Sequence, residues 1–277
     1  MIMTITTMNI TTILDYDFMR NAFLATLIVG VVAGAVGYFL VLRGETFAGH
    51  ALAHVGFPGA TGAALIGISP LLGLAVFTVV AGLGVGLLGN KAHRDVAIGL
   101  VLTVSLGLGL LFLHFYTAYA SQATNVLFGN VLAISPATVW ALAGLGLVSL
   151  VALAAIARPL LFASLQPEMA EARGVPIGLT STLFMVIVAL STVAAMQIVG
   201  VLLVFALMVA PAASALRLTR GVGAGIAVSV GLAVGIAWLS LVLAFLTDWP
   251  TSFWITLFGT LAYFASFGVA RRRRRLA

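Results

Sequence analysis

Charged residues are so sparse in this chain that they divide it into long, uncharged, apolar intervals. Of its 277 residues, 62% are hydrophobic and only 7% are charged, and the mean hydropathy is +1.23. A soluble domain carries roughly a quarter charged residues. Since no soluble core could bury this much apolar surface, the sequence predicts an all-α polytopic membrane protein that forms a single transmembrane domain over residues 1–277.

The lengths of the uncharged intervals predict about nine spans, because one crossing needs about 20 apolar residues. We expect breaks at Ser69-Pro70, in the interfacial segment 114–125, and near Gln197. The Gly-rich segment 46–68 could instead be re-entrant, which would leave eight spans. The predicted helices are 21–42, 46–68, 70–90, two within 96–157, two within 177–216, 221–246 and 251–270.

The Lys and Arg residues predict the sides of the membrane. By the positive-inside rule, the polar loop at 91–94 and the segments 158–173, 217–220 and 271–275 should be cytoplasmic, whereas 117–125 and 248–249 should face outward. The C-terminus is then cytoplasmic and the N-terminus outside. Five charges of the net +6 come from Arg271–Arg275, so we interpret the basic tail 271–277 as a contact with membrane lipid and not with nucleic acid. The first residues lack the pattern of a removable signal peptide.

Two of the four histidines lie four residues apart in the segment GHALAHVGFPG, 49–59. Positions i and i+4 share one helix face, so His50 and His54 could present two nitrogens to one metal ion. Ionisable side chains within spans are rare and suggest function. Metal or proton handling and simple interhelical packing both remain open on these residues alone.

Several catalytic classes are excluded by missing residues. There is no cysteine, hence no disulfide or thiolate ligand. A zincin needs Glu directly after its first His, and Ala51 stands there. The nearest approach to a phosphate-binding loop, Gly84 to Gly89, continues with Asn90, so any ATPase must be another polypeptide.

The remaining ionisable residues have simpler interpretations. We expect His93 to be solvated and His114 to anchor the chain at the interface, with metal entry the less favoured role for His114. Glu45 and Asp95 lie at span ends, where solvation is the favoured interpretation and an ion site near the exit is the alternative.

A short charged helix is predicted in LQPEMAEARGVPIG, 165–178. Pro167 and Glu168 suit its first turn, Gly174 ends it, and Pro176 prevents its continuation. On these residues it is equally a docking element for a soluble partner or an ordinary connecting loop.

Five blocks in order resemble the permease subunits of ABC-type zinc and manganese importers (the ABC-3 metal permeases). They lie between about residue 20 and residue 265, which is nearly the whole chain. The blocks are LRGETFAGHALAHVGFPGATGAALIG (42–67), VAIGLVLT (96–103), VLFGNVLAIS (126–135), PEMAEARGVPIG (167–178) and MQIVGVLLVFALMVAPAASALRLT (196–219).

The resemblance implies a bundle of about 8–9 spans that works as a homodimer in a bacterial plasma (inner) membrane. It also implies a cytoplasmic ABC ATPase dimer, an extracytoplasmic solute-binding protein that delivers the metal, and alternating access. The chain would hold no permanent cofactor. The residues expected to contact the ATPase are Pro167, Glu168, Ala170, Glu171, Ala172, Arg173 and Gly174.

The family's metal-handling pair is Asp-x-x-x-His, and here His54 matches the His whereas His50 replaces the Asp. Imidazole suits Zn²⁺ and oxygen ligands favour Mn²⁺, so the expected cargo is Zn²⁺, with Mn²⁺ as the alternative. Asp95, water or a second protomer could complete the site. A proton-coupled secondary transporter using the same histidines, and a structural scaffold, are the competing hypotheses.

Overall fold

The computed structural model describes residues 15–87, 91–115, 129, 131–201 and 203–276. Within these ranges the regular secondary structure is all helical, with ten α-helices and a short 3-10 helix, Val131–Ala133. The α-helices are α1 (Asp17–Leu42), α2 (Thr46–Leu65), α3 (Pro70–Leu87), α4 (Lys91–Phe115), α5 (Pro136–Leu165), α6 (Pro167–Ala172), α7 (Ile177–Val199), α8 (Val204–Leu218), α9 (Val222–Thr247) and α10 (Thr251–Leu276).

All nine predicted apolar segments form helices, which confirms the fold class. Seven helices among the described residues are long and apolar enough to cross a membrane, namely α1, α3, α4, α5, α7, α9 and α10. The other two, α2 and α8, have 20 and 15 residues. At a rise of about 1.5 Å per residue, α8 is about 22 Å long, which is shorter than the hydrocarbon core of a bilayer.

Three predicted boundaries were wrong. The helix α4 already begins at Lys91, so the predicted polar loop at 91–94 is the first turn of a helix that continues through Asp95. The helix α5 continues through Arg158 and Pro159 to Leu165, since an Arg near a span end can extend its charged group toward water. The polar connection is therefore shorter than 158–176.

The third wrong boundary is Gln197, which lies inside α7 and does not turn the chain. The turn comes at Gly200, whose φ of 78° lies in the left-handed region that glycine adopts without strain. A few expectations fall on residues outside the described ranges: the N-terminal residues 1–14, the interfacial segment 116–125, and the last residue of the basic tail.

Segments predicted on opposite sides of the membrane lie at opposite ends of the bundle. At one end, a pocket of about 810 Å³ is lined by Gly129, Ile198, Leu203 and Asp248, among others. At the other end, the turn between α1 and α2 contacts the end of α5 and the beginning of α7 through Arg43. The order of the helices therefore agrees with a chain that crosses back and forth.

The helices α1 and α7 form the centre of the bundle, with most of each apolar span buried. The helix α2 packs against α3, α4 and α7. Glycines permit this close approach, because an added Cβ at Gly59 would lie 2.7 Å from Cβ of Phe77 on α3. The histidine-bearing helix is thus packed inside the bundle, although it is not among the seven helices apolar enough to cross a membrane.

Candidate functional site

His50 and His54 lie one turn apart on the same face of α2. Their ring centroids are 4.7 Å apart and their planes make an angle of 80°. The i, i+4 spacing within a regular helix produces this proximity without help from the rest of the fold. The side-by-side rings predicted from the sequence are therefore present.

The His54 side chain has an unsatisfied polar atom. His54 is only 9% exposed, and the Nδ1 atom of its imidazole is buried without a hydrogen-bond partner. Among the described residues, the one other buried side-chain polar atom in this state is Oγ of Ser240. Leaving a polar group buried and unpaired is costly, so this nitrogen is chemically suited to coordinate a metal ion.

His50 marks the open edge of the site. From Ala48 to Thr61 every residue of α2 is buried except His50, which is half-buried. Its ring lies edge-on to Phe205 of α8, with centroids 5.3 Å apart, and Phe205 is itself 39% exposed. The pair of imidazoles therefore extends from the bundle interior to its surface.

Pro58 alters the backbone just beyond the histidines. It lies inside α2 and has no N–H, so it cannot donate the usual helical hydrogen bond to the carbonyl oxygen of His54. The nearby Thr61 hydroxyl donates to the carbonyls of Phe57 and Pro58, at 3.0 and 3.3 Å, and not to that of His54. The His54 carbonyl thus lacks its helical donor directly beside the proposed ligand.

Asp95 does not join the histidine pair. It is exposed in the first turns of α4, where it lines a small pocket of about 110 Å³ together with Arg43, Glu45 and Phe47. Among the described residues, no group of three or more His, Asp or Glu side chains could hold a metal ion. The chain therefore offers two imidazoles at this place, and a complete metal coordination shell would need further ligands.

The sequence had suggested that Glu45 is solvated at the end of a span, and that expectation was wrong. Its carboxylate is paired with the Arg43 guanidinium, Nε to Oε2 at 3.2 Å, and the two side chains are only 8% and 10% exposed. The contacts of Arg43 and Phe205 were not predicted from the sequence. Their roles depend on contacts between helices far apart in the chain, for which the local sequence holds no signal.

The predicted short helix α6 forms between α5 and α7. Ala170 is fully buried and anchors it, whereas Glu168, Met169 and Glu171 are exposed. Gly174 ends the turn with a φ of 77°, and the Val175 N–H donates to the Ala170 carbonyl. The result is a small charged projection on the end of the bundle that carries Arg43.

Comparison with known proteins identifies the family. The family model of the ABC 3 transport family matches residues 15–270. The manganese transport system membrane protein MntC of Halalkalibacterium halodurans is 35% identical over 210 residues, which cover 75% of this chain and 72% of that protein. The manganese import system permease protein ScaB of Streptococcus gordonii is 31% identical over 264 residues, 95% of each chain.

A solved structure has a similar fold over nearly the whole chain. The structure of PsaBC from Streptococcus pneumoniae in complex with Fab matches with a TM-score of 0.83 and 28% identity, over 94% of this chain and 95% of the matched chain. The chain therefore belongs to the ABC 3 transport family, as its five motifs indicated. It is a membrane permease subunit and not an enzyme.

Proposed function

We propose that this chain is the membrane subunit of an ATP-driven importer of a divalent transition metal, and that the principal cargo is Mn²⁺. The observation that carries the proposal is the pair of adjacent imidazoles on α2, one of which has a buried nitrogen without a partner. Neutral imidazole is the commonest metal ligand among protein side chains. Ionisable residues inside a span otherwise have little reason to be there.

The preference for Mn²⁺ replaces the sequence-based preference for Zn²⁺. It is supported by two relatives, 35% and 31% identical, whose names specify manganese. Zn²⁺ is the second candidate, because His50 replaces the family's carboxylate and imidazole suits Zn²⁺. The two candidates differ in which metal the same site prefers, not in the site itself.

The site would bind the ion loosely and let it pass. His50 and His54 supply two nitrogens, and water or a second copy of the chain supplies the remaining ligands. The half-buried edge of His50 and the exposed Phe205 beside it support a pathway between two protomers, since a polar group in a span should face a cavity or a partner. A pathway must bind its ion weakly enough to release it again.

The family membership also supports the proposed partners. A cytoplasmic ATPase dimer would bind α6, using the exposed Glu168, Glu171 and Arg173, and an extracytoplasmic solute-binding protein would deliver the metal at the opposite end. This arrangement requires a cytoplasmic C-terminus and a location in the bacterial inner membrane. The basic tail, 271–277, agrees with that orientation.

Metal uptake into proteoliposomes tests the proposal. The permease, assembled with its ATPase and solute-binding protein, should accumulate radioactive Mn²⁺ only when ATP is present. His50→Ala and His54→Ala should each reduce uptake strongly. His114→Ala is the matched control, because His114 is exposed near the end of α4 and contacts Phe115.

The outcomes separate the candidates. Uptake of Zn²⁺ that unlabelled Mn²⁺ does not inhibit would favour the second candidate. Uptake that needs a proton gradient and no ATP would indicate a secondary transporter. Full uptake in both histidine variants would refute the assignment of the metal pathway.

A further inference from the structure

Arg43 connects three helices at the end of the bundle that carries α6. It follows α1 directly and precedes Glu45, which immediately precedes α2. Its Nε and one terminal nitrogen donate to the two Glu45 carboxylate oxygens, each at 3.2 Å. The other contacts lead to α5 and α7, with Ser164 Oγ at 3.2 Å and Ser181 Oγ at 3.0 Å.

The two serines lie on either side of α6 in the chain. Ser164 is in the last turn of α5 and Ser181 is in the first turns of α7, and α6 connects these two helices. Ser164 also bonds to its own helix, since its hydroxyl donates to the Leu160 carbonyl while its oxygen accepts from Arg43. A displacement of α6 that moves the end of α5 or the beginning of α7 would therefore also displace the Arg43 guanidinium, which is bonded to both helices.

The contact is rigid for reasons of chemistry and burial. A guanidinium is planar, with its five N–H groups in fixed directions, so four hydrogen bonds to three residues hold it in one orientation. The Arg43 side chain is 10% exposed, and the cation lies over the Phe184 ring, 5.5 Å from its centroid. Buried charged hydrogen bonds of this kind resist rearrangement, because losing one partner leaves a charge unsatisfied.

The other end of the same connection is the histidine helix. Gly44, with a φ of 68°, makes a tight turn, and the Glu45 carbonyl accepts from the Gly49 N–H, one residue before His50. His50 is five residues from Glu45, about 7.5 Å along a helix. Movement of the Arg43–Glu45 pair is therefore delivered to the first turns of α2, where the proposed metal ligands begin.

We propose that Arg43 is a positioning residue that transmits movement of α6 to α2, through hydrogen bonds to Ser164 and Ser181 on one side and the ion pair with Glu45 on the other. The inference rests on the proposed function, because it takes α6 as the place where the ATPase acts. In this proposal Arg43 contacts neither the metal nor the ATPase and acts only through its hydrogen-bond partners. Ser164 and Ser181 are the two removable parts of the connection.

Serine variants test the connection without leaving a buried charge unpaired. Ser164→Ala combined with Ser181→Ala removes both bonds to the flanking helices and keeps the Arg43–Glu45 pair. The matched control is Ser149→Ala combined with Ser191→Ala, because these serines lie on the same two helices and donate only to carbonyls of their own helix. Ser181→Thr keeps a hydroxyl and should behave like the wild type.

The first measurement is the distance between α2 and α7 in the assembled complex. The chain contains no cysteine, so Phe47→Cys and Leu179→Cys introduce the only two label sites within it, and both side chains are exposed. With wild-type serines we expect the same distance distribution in the nucleotide-free and ATP-bound complexes, because the two helices move together. In the double serine variant, and not in the control, the distance should change between these states.

The second measurement is the number of ATP molecules hydrolysed per ion imported. We expect this ratio to rise by roughly fivefold or more in the double serine variant, the low end of typical coupling between two sites. The control and Ser181→Thr should keep the wild-type ratio. A purely structural role would instead reduce uptake and hydrolysis together.

Two results would overturn the proposal: a wild-type distance that changes between states, or a serine variant with wild-type distance and ratio. The distance measurement does not depend on which ion is carried. An importer with another cargo would fail the uptake experiment described above and still leave this connection open to test. The failures of the two proposals are therefore distinguishable.

Discussion

The replacement of Gly59 by alanine tests whether α2 is held in place by direct contact with α3. The added Cβ would lie 2.7 Å from Cβ of Phe77 and 2.9 Å from the carbonyl carbon of Gly73, with the Gly73 oxygen closer still. Carbon atoms in ordinary contact are about 3.5–4.0 Å apart. The two helices must therefore separate by about 0.8 Å, because the Gly73 backbone cannot rotate away as a side chain would.

The expected cost follows from this overlap. Overpacking of a well-packed site costs about 1–3 kcal/mol, and backbone against backbone belongs at the upper end. Alanine returns up to about 1 kcal/mol through its greater helix propensity. We therefore expect Gly59→Ala to destabilise the permease by about 2 kcal/mol.

Gly84→Ala on α3 is the matched control, because nothing lies within 4 Å of its added Cβ. It should be neutral or slightly stabilising. A protein of about this size shifts its melting temperature by about 2–4 °C per kcal/mol. Thermal unfolding of the two purified variants, followed by tryptophan fluorescence, should separate them by several degrees.

Metal uptake should also be lower in Gly59→Ala than in Gly84→Ala, because α2 carries both histidines. A displacement of α2 moves His50 relative to Phe205 and reduces uptake in Gly59→Ala, whereas Gly84→Ala should transport like the wild type. If Gly59→Ala melts at or above the temperature of Gly84→Ala, the close approach of α2 and α3 is wrong.

Three further predictions concern the metal site and the orientation of the chain. His50→Asp, which creates the Asp-x-x-x-His pair that the family resemblance implies, should raise the ratio of Mn²⁺ to Zn²⁺ uptake when both ions compete; an unchanged ratio would show that His50 does not select the metal. Metal affinity of the wild type, measured by calorimetry between about pH 8 and pH 5, should fall as the pH falls, because both imidazoles must be neutral to bind the ion; the fall should be shallower in His50→Asp, and equal slopes would contradict a two-imidazole site. In right-side-out vesicles, an impermeant thiol reagent should label Asp248→Cys and not Met169→Cys, and the reverse pattern would invert the proposed orientation.

The number and kind of helices could be predicted because each span is specified by its own composition. Charges end the apolar intervals, and Ser69-Pro70 breaks the pair α2–α3 where expected. The ends were less predictable. Gln197 is polar and Arg158 is charged, yet both lie inside helices. A helix forms its own backbone hydrogen bonds whatever the side chain, and a long side chain such as that of arginine can extend its charged group toward the interface.

The histidine pair could be predicted for the same reason, since its geometry is local to one helix. The surroundings of the pair could not. Phe205 is far from His50 in sequence and reaches it only through the packing of α8 beside α2. Arg43 looked like an ordinary end of a span, and its partners Ser164 and Ser181 lie 121 and 138 residues away.

The incompleteness of the site is itself consistent with transport. A storage site gains from a full set of ligands in a rigid shell, because tight binding is its purpose, whereas an importer must release the ion at every cycle. In the proposed site, two imidazoles on one helix, one buried at 9% exposure and the other half-buried, would give a partial shell whose remaining ligands can change. If the rest of the shell comes from water or from the facing protomer, a small movement of α2 is enough to dismantle it. The buried Arg43–Glu45 pair lies directly before α2, within about three turns of both histidines, so under the two proposals above the rigid connection and the loosely bound ion would share the first half of one helix.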